Sequence, residues 1–242
     1  MDAETFLKSG GFDKSLASID LLKGVSADAF KRIEQRCLWK FHAKGAVVLN
    51  QDDDSNEVLF VRCGWVRVVQ FTSTGHEIGF AEITAGGHVG EMAAIDGGPR
   101  SASVIAVTDT VTASLPAPDF LQLLRDTPVL ALNLMKAMAR AIRGTNVRVH
   151  DLRSLTAAGR IVHELLRLAG RGRTTGNLGR IKLQPAPTQS EIAASAGTTR
   201  ETVARTLGEL EKRKLVARGS RSLELVNIEG LEDFIEDDAQ AG

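Results

Sequence analysis

The spacing of apolar residues changes near residue 127, and this change constrains the fold more than any other feature. Before it, short β-branched runs (Val47–Leu49, Val58–Val61, Trp65–Phe71, Ile78–Ile83, Ala102–Val107 and Val111–Leu115) are separated by Gly, Asp, Asn or Ser. Short strands at such intervals predict a sandwich or barrel. Nine of the 23 glycines (45, 64, 75, 79, 86, 87, 90, 97 and 98) fall in this region, where tight turns favour positive φ. After Thr127-Pro128, a capping residue followed by a helix-starting proline, the pattern becomes helical to about Ser154. Ala131, Met135, Met138, Ile142, Thr145, Val149 and Leu152 then recur alternately four and three residues apart. This is a heptad seam, and a seam needs a cover. The same helix from a second copy supplies it most simply, as a parallel homodimer; the alternative is that the stripe packs on its own β domain. Thr145, with Asn146 beside it, is polar on the seam, which lowers stability unless such residues set register or meet a ligand.

Residues 15–37 are expected to be helical, with Leu21, Leu22, Phe30, Ile33 and Cys37 on one face. Beyond His150 a helix is expected over Ala157–Leu168, then a Gly/Arg-rich link (Gly170–Gly179) and a C-terminal module. The expected division is 1–126 for the β domain, 127–155 for the long helix and a hinge near 150–156, and 156–242 for the last module and an acidic tail.

Net charge reinforces this division. The chain of 242 residues has 30 Lys+Arg and 30 Asp+Glu, a formal charge of zero. Residues 1–150 carry 16 basic and 17 acidic side chains, 151–222 carry 14 and 6, and 223–242 carry 0 and 7. A block of +8 closed by a tail of −7 suggests a nucleic-acid partner. With 43% apolar and 25% charged residues, collagen-like and disordered classes are excluded. Cys37 and Cys63 have apolar neighbours and cannot form a disulfide scaffold. Neither a membrane span nor a signal-peptide pattern is present, so a cytoplasmic protein with no membrane partner is expected.

Thr188 to Gly197, followed by Thr198 to Leu207, has the pattern of a helix-turn-helix. Ala193 is small where two helices touch, Gly197 can take a left-handed turn, and Ile192, Val203 and Leu207 can fill a core. Arg200, Glu201 and Arg205 fall at the start of the second helix, where base edges are read. Arginine can pair bidentately with guanine and glutamate can accept from cytosine. Thr188, Gln189, Thr199 and Thr202 suit phosphate contacts, although Thr188 and Thr199 suit helix caps equally. Leu215 to Leu225 reads as a basic wing containing Arg218. An ordinary helical hairpin with solvated charges is the alternative.

Gly90 to Ser103 is the other chemically dense stretch. A short helical turn there would present backbone N–H groups, including those of Met92 and Ala93, to an anion, with Arg100 supplying a charged fork and Ser101 a hydroxyl. A carboxylate such as Glu91 beside that arginine suits a ligand bearing both a phosphate and a ribose hydroxyl. A structural Arg100–Glu91 ion pair is the alternative. No nucleophile–base pair and no metal-ligand spacing points to catalysis or to a metal site.

Taken together, Gly90-Glu91, Arg100-Ser101-Ala102, Met138-Ala139-Arg140, Thr145, Gly159-Arg160-Ile161, Arg200-Glu201-Thr202-Val203 and Arg205 resemble the cyclic-AMP receptor protein and FNR superfamily of bacterial transcription regulators over about 15–228. The resemblance implies an α+β chain: an N-terminal β-roll (jelly-roll-like) that binds a cyclic nucleotide, a long dimerisation helix, and a C-terminal winged helix-turn-helix. It also implies that Arg100 and Ser101 hold the cyclic phosphate, with Ala102 among the nucleotide-binding residues, that Gly90 and Glu91 hold the backbone edge and ribose and Thr145 and Asn146 the base, and that Phe80 and Ala81 line the base pocket. The implied partners are double-stranded DNA carrying a palindromic TGTGA-like site, a second copy of the chain, and RNA polymerase. Two departures bear on the ligand. The Glu91 to Arg100 loop is one residue shorter than in the cyclic-AMP receptor itself, and Asn146 replaces a serine. Asn presents both a donor and an acceptor, so cyclic AMP and cyclic GMP both remain expected ligands; the alternative is a regulator of the same family that is ligand-independent or responds to another small molecule. FNR-like sensing would need four cysteine ligands, and two separated cysteines cannot supply them.

Overall fold

The computed structural model describes residues 2–10, 13–71, 77–170, 174–175 and 180–241; within them the side chain of Phe80 is among the few outside the described set. The chain packs as two units, Met1–Ile142 and Arg143–Gly242. The cut falls inside one long helix.

The first unit opens with α1 (Ala3–Ser9), a 3-10 turn (Asp20–Leu22) and α2 (Ala27–Arg36). Strands β1 (Leu38–His42), β2 (Val47–Leu49), β3 (Val58–Cys63), β4 (Trp65–Phe71), β5 (Glu77–Thr84) and β6 (His88–Val89) follow. Then come α3 (Glu91–Asp96), β7 (Ser103–Ala106), β8 (Thr110–Leu115), α4 (Ala117–Asp126) and the start of α5 (Pro128–Ser154). The strands form two antiparallel four-stranded sheets, ordered β1-β8-β3-β6 and β2-β7-β4-β5. Leu59 and Val61 of β3 pack with Leu49, Val66, Val89 and Val104, residues drawn from both sheets. Val58 and Phe60 of the same strand pack with Ile33, Phe120 and Leu130 from the helices. Both faces of β3 are therefore covered, which is why its sequence is a continuous apolar run rather than an alternation.

Two expectations change here. The segment 15–37 is helical only as the 3-10 turn and α2, because Gly24 takes φ +78° and Ser26 starts a new helix by accepting the Ala29 amide. Leu21 and Leu22 are still buried, but from a tight turn. Of the nine glycines expected at positive-φ turns, 45, 64, 86, 90 and 97 adopt it; Gly79 lies within β5 opposite Val69, and Gly75 is outside the described residues.

The second unit contains the C-terminal half of α5, then α6 (Ala157–Ala169), β9 (Thr174–Thr175), β10 (Ile181–Leu183), α7 (Gln189–Ala196) and α8 (Arg200–Lys212). It closes with β11 (Val216–Arg218), β12 (Leu223–Leu225) and α9 (Ile228–Ala241). These strands form a sheet ordered β11-β12-β10-β9. Most of the Gly/Arg-rich link lies outside the described residues. Ile161, Leu165, Ile192, Val203, Leu207, Leu210 and Leu225 share one core.

The acidic C-terminal segment is not a solvated end. Its Leu231 is fully buried in that core, with Phe234 and Ile235 packed against it, and Arg213 sits over the Phe234 ring at 5.2 Å. Asp238 accepts from the Thr156 amide (2.8 Å) and hydroxyl (2.5 Å) at the start of α6. A Cβ at residue 159 would fall on the Asp238 carboxylate, so a side chain there would have to displace it from Thr156. Among the described residues, no helix is long and apolar enough to cross a membrane.

Candidate functional site

In the first unit the chemistry centres on Arg100, whose side chain is 2% exposed. Its backbone is fixed by two bonds to the Asp52–Asp53 loop, Asp52 N to Arg100 O (2.9 Å) and Arg100 N to Asp53 O (3.0 Å). Its guanidinium donates from Nε to Ser55 Oγ (3.0 Å), from Nη1 to the Gly90 carbonyl (3.0 Å), and from Nη2 to the Glu57 carbonyl (2.9 Å). The Glu57 carboxylate lies 3.2 Å from Nη2. Burial pushes the guanidinium below its usual range, and the carboxylates of Glu57 and Asp53 pull it back. Arginine nevertheless stays charged in proteins, so this is a cation held in a buried cradle.

Gly90 makes that cradle possible. It adopts φ +87°, and a Cβ there would lie 2.6 Å from Arg100 Nη1 and 2.8 Å from the Glu57 carbonyl. Immediately after it, Glu91, Met92 and Ala93 form the first turn of α3, whose amides the helix itself leaves without partners. Ser101 is exposed beside Arg100, its hydroxyl 3.8 Å from Met92 Sδ. Ala93 is buried, so any contribution it makes is through its backbone. Gly90, Met92, Arg100 and Ser101 are thus brought together, with Glu91 adjoining and Ala102 next in the chain. The ion pair of Arg100 is with Glu57 rather than Glu91. Ala81 lies in β5, paired with Val68; Phe80 is in the same strand, its side chain outside the described set.

On α5, Leu130 and Leu134 are buried in the core of the first unit and Met138 packs partly against it. The large apolar residues of the predicted seam beyond it are exposed: Met135, Ile142, Val149 and Leu152 by 58%, 60%, 45% and 55%. Thr145 and Asn146 are exposed on the part of α5 that belongs to the second unit.

The second unit holds a helix-turn-helix. Thr188 and Glu191 form a reciprocal capping box on α7, Gly197 ends it at φ +60°, and Thr199 caps α8 by accepting the Thr202 amide. Both threonines therefore act as caps, and Arg200, Glu201 and Arg205 are all three exposed on α8. Arg200 Nε lies 3.5 Å from Gln189 Oε1. The Glu201 carboxyl is held below its ordinary value by its own backbone amide and the Thr199 hydroxyl. On the wing, Arg218 Nε is 3.3 Å from Glu211 Oε2, tying β11 to the recognition helix. The turn is braced by Arg160, which donates to the carbonyls of Ala196 (2.8 Å), Gly197 (3.2 Å) and Leu155 (3.0 Å).

Residues 39–127 match the model of the cyclic nucleotide-binding domain, and residues 159–234 match that of the Crp-like helix-turn-helix domain. The cyclic AMP receptor protein of Thermus thermophilus is 33% identical over 195 residues, which is 81% of this chain and 87% of that protein. This chain belongs to the cyclic AMP receptor protein/FNR family of DNA-binding transcription regulators.

A CRP-like cAMP-activated global transcriptional regulator of Mycobacterium tuberculosis is 25% identical over 219 residues, covering 90% of this chain and 97% of its own. Among solved structures, a CooA variant from Carboxydothermus hydrogenoformans shares the fold with a TM-score of 0.76 at 22% identity, covering 92% and 96% of the two chains. The c-di-GMP responsive regulator CLP of Xanthomonas campestris shares it with a TM-score of 0.74 at 19% identity, covering 84% and 100%. As a member of this family the chain is a regulator and not an enzyme. Its two cysteines are buried, and burial pushes the Cys37 thiol up to about 12 and raises that of Cys63.

For a family regulator, the exposed fork of Arg200 at the start of α8 gives a direct expectation. Arg200→Ala should weaken binding to the cognate site by about 1–3 kcal/mol and relax preference at a single base pair. Fluorescence anisotropy with single-base operator variants measures this; an equal loss on every sequence would assign Arg200 to phosphate instead.

Proposed function

We propose that this regulator is a homodimer that binds a palindromic TGTGA-like DNA site in response to cyclic AMP or cyclic GMP. The observation that carries the ligand reading is the buried Arg100 cradle beside Ser101 and the first turn of α3. A fork whose plane is fixed by three neutral acceptors, with the Glu57 carboxylate at its edge, suits a cyclic phosphate. Glu91 is then the partner of the ribose hydroxyl, Thr145 and Asn146 address the base, and Ala81 and Phe80 line its pocket. Thr188, Gln189, Thr199 and Thr202 contact DNA phosphates, while Arg200, Glu201 and Arg205 read bases and Arg218 follows the wing into the backbone.

The exposed apolar stripe of α5 supports the dimer: four large apolar side chains at heptad spacing on one helix are covered by a second copy. In that arrangement the 127–155 helix is the dimerisation element, and the flanking 1–126 and 156–242 are the sensor and DNA-binding domains. A nucleotide that binds one arrangement of the paired helices better than another shifts the population toward it and sets the spacing of the two recognition helices. RNA polymerase is the expected further partner. The fold itself does not choose the ligand, since it also serves the c-di-GMP responsive CLP. Calorimetric titration with cyclic AMP and cyclic GMP in separate runs tests the reading; saturable heat with either supports it, and none with both refutes it.

A further inference from the structure

The sequence motif around Arg100 does not include Glu57, yet among the described residues Glu57 is the carboxylate paired directly with the buried guanidinium, those of Asp53 and Glu91 acting on it from farther off. The other three acceptors, Ser55 Oγ and the carbonyls of Gly90 and Glu57, are neutral. They fix the plane of the fork but do not balance its charge. A buried cation needs a counter-charge, and Glu57 provides it.

Resting on the reading of this cradle as the phosphate site, the geometry points to Glu57 as a built-in competitor of the ligand: its carboxylate and the nucleotide's phosphate are alternative counter-ions of Arg100. Two anions against one guanidinium would leave an uncompensated negative charge in a partly desolvated site. One of them has to leave. Glu57 can do so, because its side chain is 33% exposed and reaches water by rotation. Its backbone carbonyl, at the entry to β3, stays on Nη2 whichever way the side chain turns. The exchange therefore removes the competing charge without releasing the fork, and nucleotide affinity is lower than the cradle alone would give. Glu57 is in this sense a residue that sets the ligand concentration to which the regulator responds.

Glu57→Gln separates this role from simple positioning, since glutamine keeps the length and an acceptor oxygen but removes the charge. The full-length variant should bind cyclic nucleotide at least about tenfold more tightly than the unaltered chain, and its thermal midpoint should rise further at saturating nucleotide. Without nucleotide its midpoint should be lower, because Arg100 has lost its nearest counter-ion. Ser55→Ala, which removes a neutral acceptor, should weaken binding. Calorimetry and thermal melts on the three proteins give the answer, with circular dichroism to establish folding. Unchanged or weaker binding by Glu57→Gln would overturn the proposal while leaving the cradle as the nucleotide site. Failure of the unaltered chain and of both variants to bind cyclic AMP or cyclic GMP would instead overturn the nucleotide reading, and this proposal with it.

Discussion

Replacing Arg100 by leucine should abolish cyclic-nucleotide binding. Arg100 is the cation of the cradle, and removing one partner of a buried, hydrogen-bonded charge pair costs about 2–5 kcal/mol or more, which is thirtyfold or greater in affinity. The substitution also leaves the carbonyls of Gly90 and Glu57 without their guanidinium donors, so a lower thermal midpoint is expected together with a native circular dichroism spectrum. Arg100→Lys should rescue only part of the affinity. An ammonium is a point charge and cannot reach Ser55, Gly90, Glu57 and a phosphate with the geometry of a planar fork. Calorimetry that finds Arg100→Leu binding a nucleotide as tightly as the unaltered chain would remove the cradle from the site.

The second large effect is expected at Ile142, which is 60% exposed within the α5 stripe. Ile142→Asp should convert the proposed dimer to a monomer and remove high-affinity binding to a palindrome. In a two-fold interface the substitution occurs twice and faces itself, so two desolvated carboxylates meet at a cost of several kcal/mol. In a monomer the same change replaces one exposed side chain by another and should alter the thermal midpoint little. Sedimentation velocity distinguishes the two; an unchanged sedimentation coefficient would assign the stripe to some other partner.

Much of this architecture was legible because the relevant signals are local. Helix α5 could be bounded from Thr127-Pro128 and the heptad steps, and α7 and α8 from Thr188, Gly197 and Thr199, since caps and turn glycines act within a few residues. The strands from β2 to β5, together with β7 and β8, were visible as β-branched runs for the same reason. β1 was missed because Lys40 interrupts its apolar run, and its place is fixed by pairing with the distant β8. The two-residue β6 was too short to carry a pattern. The segment before α2 was misread because its apolar residues recur at helical intervals although Gly24 and Ser26 break the helix.

The candidate site divides in the same way. Gly90, Arg100 and Ser101 lie within one stretch, and their association could be inferred from residue type. Glu57 and Ser55 reach Arg100 from 43 and 45 residues away, through tertiary packing that has no local spacing. The acidic residues from Asp52 to Glu57, set just before a buried strand, were the available signal. Likewise α9 was read by its charge. Its apolar residues Leu231, Phe234 and Ile235, three and four apart from Leu231, were the evidence that one face is packed.

The central claim is that a cyclic nucleotide controls DNA binding, and a gel shift with a palindromic TGTGA operator tests it most directly. Titrating the protein without nucleotide, with cyclic AMP and with cyclic GMP, at one fixed salt concentration, should give a tighter operator complex with at least one of the two and no comparable gain on a scrambled site. Equal operator affinity in all three titrations would contradict the account.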